Sequence, residues 1–147
     1  STVAEVCSNV LKDVDCDTFC CIYATAALLT ADTIRRSYSC FLNYEESDCL
    51  MGVSKFNYPP VQALMVNDDD TASLLMPKYD KIQSQFYPKT RVSNGTLNWG
   101  RRNQFLKSRN FYCESLKVFD IPDGEVCDID TMDDYHKLVR KFNEASF

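Results

Sequence analysis

The chain has 147 residues, of which 45% are hydrophobic and 25% charged, and this composition suits a single domain over residues 1–147 with a substantial hydrophobic core. A net charge of −5 and an isoelectric point near 4.8 argue against a nucleic-acid-binding surface. The longest mostly apolar run, residues 19–29, is too short to cross a membrane as a helix, and the first residues do not resemble a signal peptide.

The first third of the chain predicts alternating helices and strands. Valine and leucine residues at helical spacing predict an amphipathic helix over residues 2–13. The apolar run at residues 18–23 predicts a strand that is buried on both faces of a parallel sheet. A second helix, capped by Thr30, is expected to run to about Asn43, and residues 49–54 predict a second strand. This order favours an α/β fold.

The middle of the chain, residues 55–95, interrupts this alternation. It contains a Pro-Pro pair, an acidic turn and one predicted short strand at residues 63–66, and residues 71–92 are expected to be irregular. So long an excursion inside a compact domain is typical of a lid, a binding loop or a dimerisation arm. The dipeptide Asn94-Gly95 at its end predicts a turn.

The last third returns to regular structure. Its predicted elements alternate strand, helix, strand and helix, at residues 96–99, 103–108, 116–120 and 132–145. Asp128 and Asp130 precede the final helix in an extended segment, where alternate side chains point to one side. Two convergent carboxylates suit Mg²⁺, whose remaining ligands are water and substrate phosphates. Thr131 and Asp134 predict a capping box at the start of that helix.

Eight cysteines leave two interpretations open. An even count fits a secreted binding protein with disulfides, and Asn94-Gly95-Thr96 would then be a glycosylation sequon. Against this, Cys20 and Cys21 are adjacent within an apolar run, where free cysteine packs as a small hydrophobic residue. The sequence has one histidine and no Cys-x-x-Cys motif, so no zinc site is predicted. We favour reduced thiols in a cytoplasmic protein.

Four segments, in the right order along the chain, resemble the CMP-sugar synthetases, which are acylneuraminate-type cytidylyltransferases, and most closely their pseudaminic acid branch. They are residues 20–26 (CCIYATA), 53–59 (VSKFNYP), 94–100 (NGTLNWG) and 128–131 (DIDT). The resemblance covers the C-terminal two-thirds of that family. It implies a Rossmann-like nucleotidyltransferase sheet, mostly parallel, with an irregular or antiparallel dimerisation excursion at residues 55–95. The family's N-terminal nucleotide-binding strand and loop are expected to be missing.

The resemblance also implies a reaction, in which a nonulosonic sugar acid of the pseudaminic or sialic type receives CMP from CTP and pyrophosphate is released. Asp128 and Asp130 would be catalytic residues that hold Mg²⁺. The substrate-binding residues implied by the resemblance are Tyr23, Ala24, Thr25, Ala26, Gln85 and Asn94. The enzyme would be a homodimer that binds neither nucleic acid nor membrane.

Two departures from the family pattern support an alternative function. Gln62 and Gln83 stand where the resemblance leads us to expect arginines, which are the natural bidentate partners of a carboxylate. An acidic sugar would be recognised less well without them. The chain could therefore be a catalytically inactive binding or dimerisation module of this fold, or a fragment that is inactive alone.

Overall fold

The computed structural model describes residues 2–144, and its helices and strands follow the predicted order. They are α1 (Val3–Asp13), β1 (Thr18–Ile22), α2 (Ala31–Leu42), β2 (Cys49–Ser54), β3 (Leu64–Val66), β4 (Ala72–Leu74), β5 (Val92–Arg101), α3 (Arg102–Ser108), β6 (Lys117–Asp120) and α4 (Met132–Glu144). All the helices and strands predicted from the sequence are present. The predicted end of the last helix, Ala145, lies outside the described residues.

The chain divides into two compact units. Residues up to Ser54 and from Ser93 onward form the first unit, and Lys55–Val92 form the second. The second unit contains the antiparallel hairpin β3–β4, in which Leu64 pairs with Leu74. The prediction that residues 71–92 are irregular is therefore wrong for Ala72–Leu74. Three residues are too few to give a recognisable alternation of apolar and polar side chains.

The first unit is built on a four-stranded sheet with the order β1-β5-β2-β6. β2 and β6 are parallel, whereas β1 and β5 are antiparallel. The N–H of Arg101, at the end of β5, donates to the carbonyl of Asp48, just before β2, so β5 also runs opposite to β2. The sheet is thus mixed, with β1, β2 and β6 running in one direction. This confirms the predicted α/β class.

The expectation that β1 is buried on both faces of a parallel sheet is wrong. Its paired strand is antiparallel, and the side chain of Ile22 is 46% exposed. β1 is the first strand of the sheet order, so it has one paired neighbour. An apolar run predicts a strand, but it determines neither the direction of the strand beside it nor how completely both faces are covered.

Helices cover both faces of this sheet. Side chains from α1 and α3 pack on one face with Met51, Val53 and Phe111. On the other face, Phe41 of α2 packs with Leu50. Successive residues of β2 point to opposite faces, which explains why Leu50 and Met51 belong to different clusters. The cysteines contribute to both faces, and all eight are free thiols in the structure.

Side chains from β5 hold α2 on the sheet. The indole Nε1 of Trp99 donates to Ser37 Oγ at 2.9 Å. The Nε of Arg101 donates to the carbonyl of Ser47 at 3.0 Å, and its guanidinium lies 5.1 Å from the ring centre of Phe41. These contacts fix the carboxyl-terminal half of α2 against the central strands.

No helix within residues 2–144 has the length and apolar character that crossing a membrane requires.

Candidate functional site

The carboxyl ends of β1, β2 and β6 and the start of β5 meet at one edge of the sheet. The N–H of Tyr23, just after β1, donates to the carbonyl of Thr96 at 2.9 Å. The N–H of Ile121, just after β6, donates to the carbonyl of Val53 at 3.0 Å. In open α/β sheets, ligands bind outside the carboxyl ends of the strands. We call this edge, with the loops that leave it, the carboxyl edge.

The loop after β1 forms two consecutive turns on the carboxyl edge. The N–H of Ala26 donates to the carbonyl of Tyr23 at 3.0 Å, and the N–H of Leu29 donates to the carbonyl of Ala26 at 3.1 Å. Ala24 is exposed and Thr25 is half-buried, whereas Ala26 is buried. Among these predicted substrate-binding residues, Ala24 and Thr25 are therefore accessible to a ligand. The methyl group of Ala26 is packed inside the protein.

Tyr23 is half-buried, and burial raises the pKa of its phenol above the usual value of 10.0. The nearby Cys21 thiol adds to this rise, while the side chain of Asn98 opposes it. A phenol with a raised pKa stays neutral at physiological pH. Tyr23 can therefore donate or accept a hydrogen bond at the carboxyl edge, but it is not suited to act as a base.

Asn94 and Gly95 lie inside β5, so the prediction of a turn there is wrong. Gly95 has a φ of +61°, a left-handed conformation that glycine adopts freely both in turns and at bulges within strands. The amide of Asn94 donates to Ser54 Oγ at 2.9 Å, and its Oδ1 accepts from Thr96 Oγ1 at 2.6 Å. The Asn94 side chain thus joins β5 to the end of β2.

Asp128 and Asp130 lie in the segment between β6 and α4, which has no regular secondary structure and bends at Asp130. Both are exposed, and the intervening Ile129 is half-buried, which is the alternation expected if the two carboxylates share a side. Within residues 2–144, neither carboxylate has a hydrogen-bond or ion-pair partner. The same residues contain no cluster of three or more potential metal-ligating side chains. The protein thus offers two free hard oxygen ligands here, which fits a Mg²⁺ site completed by water and phosphate.

The helix that follows begins with the predicted capping box, which is confirmed. The N–H of Asp134 donates to Thr131 Oγ1 at 3.2 Å, and the N–H and hydroxyl of Thr131 donate to Asp134 Oδ2 at 3.2 and 2.6 Å. The Thr131 hydroxyl, followed by Lys137, lowers the pKa of Asp134 from 3.8 to about 2. This box fixes where α4 starts, directly after Asp130.

Sequence reasoning missed Glu125, which lies on the carboxyl edge three residues before Asp128. Its carboxylate accepts hydrogen bonds from Thr30 and Thr33 at the start of α2. These partners lie more than 90 residues away along the chain, and no local pattern around Glu125 identifies them. The loop after β1 is thereby connected to the segment that leads to Asp128.

The remaining predicted site residues belong to the second unit. Gln62, Gln83 and Gln85 are all exposed, and the amide of Gln85 donates to Gln83 Oε1 at 3.0 Å. An amide pair of this kind has hydrogen-bonding capacity but no positive charge to offer a carboxylate. Gln62 and Gln83 stand where arginines were expected, so the second unit has no positive charge at these two positions.

Comparison with known proteins identifies the relatives of this chain. It is 31% identical over 132 residues to the pseudaminic acid cytidylyltransferases of Campylobacter jejuni subsp. jejuni serotypes O:2 and O:23/36. The alignment covers 88% of this chain and 56% of each relative, so the chain spans about half the length of the curated relatives it matches. No family model matches the chain.

The fold has a solved counterpart. The crystal structure of 4-diphosphocytidyl-2C-methyl-D-erythritol synthase from Anaerococcus prevotii superposes with a TM-score of 0.66, covering 97% of this chain and 67% of that one. At 10% sequence identity this likeness shows the fold alone. The sequence similarity to the two Campylobacter enzymes confirms the resemblance seen in the motifs: over most of its length, the chain is similar to pseudaminic acid cytidylyltransferases.

Proposed function

We propose that this chain is part of a cytidylyltransferase that transfers CMP from CTP to a nonulosonic sugar acid of the pseudaminic or sialic type. The observation that carries the proposal is the 31% identity, over 88% of the chain, to two pseudaminic acid cytidylyltransferases. Because the chain spans about half of each relative, we propose that it is inactive alone. A polypeptide equivalent to the remaining part would have to supply the other contacts to CTP.

The reaction asks for positioning more than for covalent chemistry by the protein. The anomeric hydroxyl of the sugar acid attacks the α-phosphate of CTP, the bond to pyrophosphate breaks, and the hydroxyl proton is released. In our proposal the accessible Ala24 and Thr25 line the place where sugar and nucleotide meet. The neutral phenol of Tyr23 contributes a hydrogen bond there. Gln85 is proposed as a sugar contact.

Asp128 and Asp130 are proposed as the Mg²⁺ ligands. Both carboxylates are exposed and free of partners within the described chain, which supports this role. Bound Mg²⁺ supplies charge that offsets the negative charge of the triphosphate. The capping box of Thr131 and Asp134 keeps the start of α4 next to the two ligands.

We further propose that the enzyme works in the cytoplasm as a homodimer. The strand β3 of the second unit supports a role in association, because Leu64, Met65 and Val66 are all more than half exposed. Exposed apolar strands of this kind are unusual unless another surface covers them.

The alternative function is an inactive module that binds or dimerises but does not transfer CMP. The exposed Gln62 and Gln83 favour it, since they provide no charge to hold an acidic sugar. The two functions differ in one measurable property, which is the release of pyrophosphate from CTP.

The test measures pyrophosphate release from CTP, pseudaminic acid and Mg²⁺. The chain is assayed alone and after mixing with a polypeptide that corresponds to the unmatched part of a Campylobacter relative. We expect release from the mixture and none from either component. Asp128→Asn and Asp130→Asn are each expected to lower kcat by about 10²-fold, because each removes one of the two charged ligands proposed to hold Mg²⁺ beside the triphosphate.

Asp13→Asn is the matched control, because Asp13 is an exposed carboxylate at the end of α1. It should leave kcat unchanged. A well-folded mixture that binds CTP but releases no pyrophosphate would establish the inactive module instead.

A further inference from the structure

Three helices of this protein begin in the same way, but one of them takes its cap from a distant part of the chain. At α1, the N–H of the capping residue Thr2 donates to the carboxylate of Glu5, three residues later. At α4, the N–H of Thr131 donates to Asp134, again three residues later. In both helices the carboxylate is local, as in an ordinary capping box.

At α2 the corresponding carboxylate comes from Glu125. The capping residue is Thr30, and the position three residues later is Thr33, which carries no charge. The N–H of Thr30 donates to Glu125 Oε2 at 2.8 Å, and the hydroxyl of Thr33 donates to Oε1 at 2.7 Å. The hydroxyl of Thr30 lies 3.2 Å from the same Oε1. Glu125 thus takes the place that a local acid has in the other two helices.

Capping alone does not explain this arrangement. Thr30 already caps α2 through its own side chain, because its Oγ1 accepts from the N–H of Thr33 at 3.2 Å. Glu125 is half-buried and Thr33 is 1% exposed, so the carboxylate has given up much of its contact with water. A local acid at position 33 would supply the same charge without a long-range contact. What Glu125 adds, and a local acid would not, is the contact between α2 and a distant segment of the chain.

The contact joins the two segments on which the proposed reaction depends. Thr30 is the last residue of the loop that contains Tyr23, Ala24 and Thr25. Glu125 ends a short 3-10 turn three residues before Asp128. We propose that Glu125 is a positioning residue that holds the metal-binding segment at a fixed place relative to the substrate loop. This inference rests on the proposed function for its catalytic consequence, but its structural part can be tested separately.

The structural test is hydrogen–deuterium exchange on the full chain, which needs no substrate. Glu125→Ala is expected to speed exchange within residues 126–131, at the amides of Val126 and Thr131 that donate hydrogen bonds, because the segment loses its anchor to α2. Glu125→Gln should speed it less, since the amide oxygen can still accept one hydrogen bond. Glu5→Ala is the matched control, since it removes the same kind of cap from α1 and should leave residues 126–131 unchanged.

The decisive variant moves the cap back to a local position. Glu125→Ala combined with Thr33→Asp places an acid where α4 has Asp134. If Glu125 is a positioning residue, this double variant recovers the protection of the first turn of α2 but not that of residues 126–131. If both recover, or if Glu125→Ala leaves residues 126–131 unchanged, Glu125 is only a cap and the inference is overturned.

The catalytic test uses the two-component mixture described above. Glu125→Ala should lower kcat by about 10²-fold with little change in KM for CTP, because misplacement by about 1 Å is that costly. The double variant should stay low, whereas a full recovery of kcat would contradict the inference. If the unaltered mixture releases no pyrophosphate, the proposed function fails and the exchange experiment alone decides the role of Glu125.

Discussion

Gly52 in β2 lies so close to Thr96 in β5 that a Cβ atom at position 52 would be 2.6 Å from Thr96 Oγ1. The same atom would be 3.1 Å from the carbonyl oxygen of Leu97. Thr96 is 1% exposed, so its side chain has little room to turn away. The contact lets the two central strands approach just below the carboxyl edge.

We expect Gly52→Ala to lower the free energy of unfolding by about 1–3 kcal/mol, which is the usual range for overpacking a core. Urea denaturation followed by circular dichroism measures this change. Gly124→Ala is the control, because a Cβ atom at position 124 would meet nothing within 4 Å. That variant should stay within about 0.5 kcal/mol of the unaltered protein. Equal effects of the two substitutions would contradict the packing described here.

The Thr131 hydroxyl is the main cause of the low pKa of Asp134, which lies near 2 instead of 3.8. Thr131→Val should therefore raise this pKa towards 3.8, as measured by carbon-13 NMR of the carboxyl group during an acid titration. Lys137→Gln should raise it less, because Lys137 is the second cause. A larger shift in Lys137→Gln than in Thr131→Val would reverse this order and show that charge dominates.

The same depressed pKa sets the pH range in which the cap stabilises α4. The folded protein binds a proton at Asp134 less readily than the unfolded chain does, so the contribution is fully present above the unfolded value of 3.8. It is lost as the pH falls towards 2. Thr131→Val should flatten this part of the curve of unfolding free energy against pH.

Three cysteines should be slow to react in the folded protein. Burial is the main reason why the pKa values of Cys20, Cys21 and Cys49 rise from 9.0 to about 12. At pH 8 they are therefore almost entirely protonated, and the thiolate is the reactive form. We expect a chromogenic disulfide reagent to modify them at least about 10²-fold more slowly than in urea-unfolded protein.

The same reagent also tests the second interpretation of the eight cysteines, which is a secreted protein with disulfides. In unfolded protein that has not been reduced, about eight thiols should react, which is the number of cysteines in the chain. A value near zero would instead indicate a secreted protein with disulfides.

The sequence predicts those features of the fold that depend on residues close together in the chain. The sequence predicts the capping residues Thr30 and Thr131 because each acts on a neighbour three residues away. The alternation around Ile129 was visible for the same reason, since it needs only the period of an extended chain. Short motifs also carry the resemblance to the cytidylyltransferases, and the two Campylobacter enzymes are similar to the chain in sequence.

What depends on contacts between distant segments was not predicted. The dipeptide Asn94-Gly95 predicts a turn, but a left-handed glycine also occurs inside strands, and only the pairing of β5 with β1 shows that it lies in a strand here. The antiparallel partner of β1 lies about 80 residues further along the chain, where no sequence period can point to it. The contact of Glu125 with α2 has no local signal for the same reason, because its partners are equally remote along the chain.

Helix α2 is held at both ends by charged side chains from later in the sequence, an acid at its start and Arg101 just beyond its end. These charges match the partial charges of the helix ends. During synthesis, α2 is made well before either residue, so it cannot complete these contacts until the chain as far as Glu125 has emerged from the ribosome. Folding intermediates should accordingly contain α2 as an undocked helix, whose late docking completes the carboxyl edge.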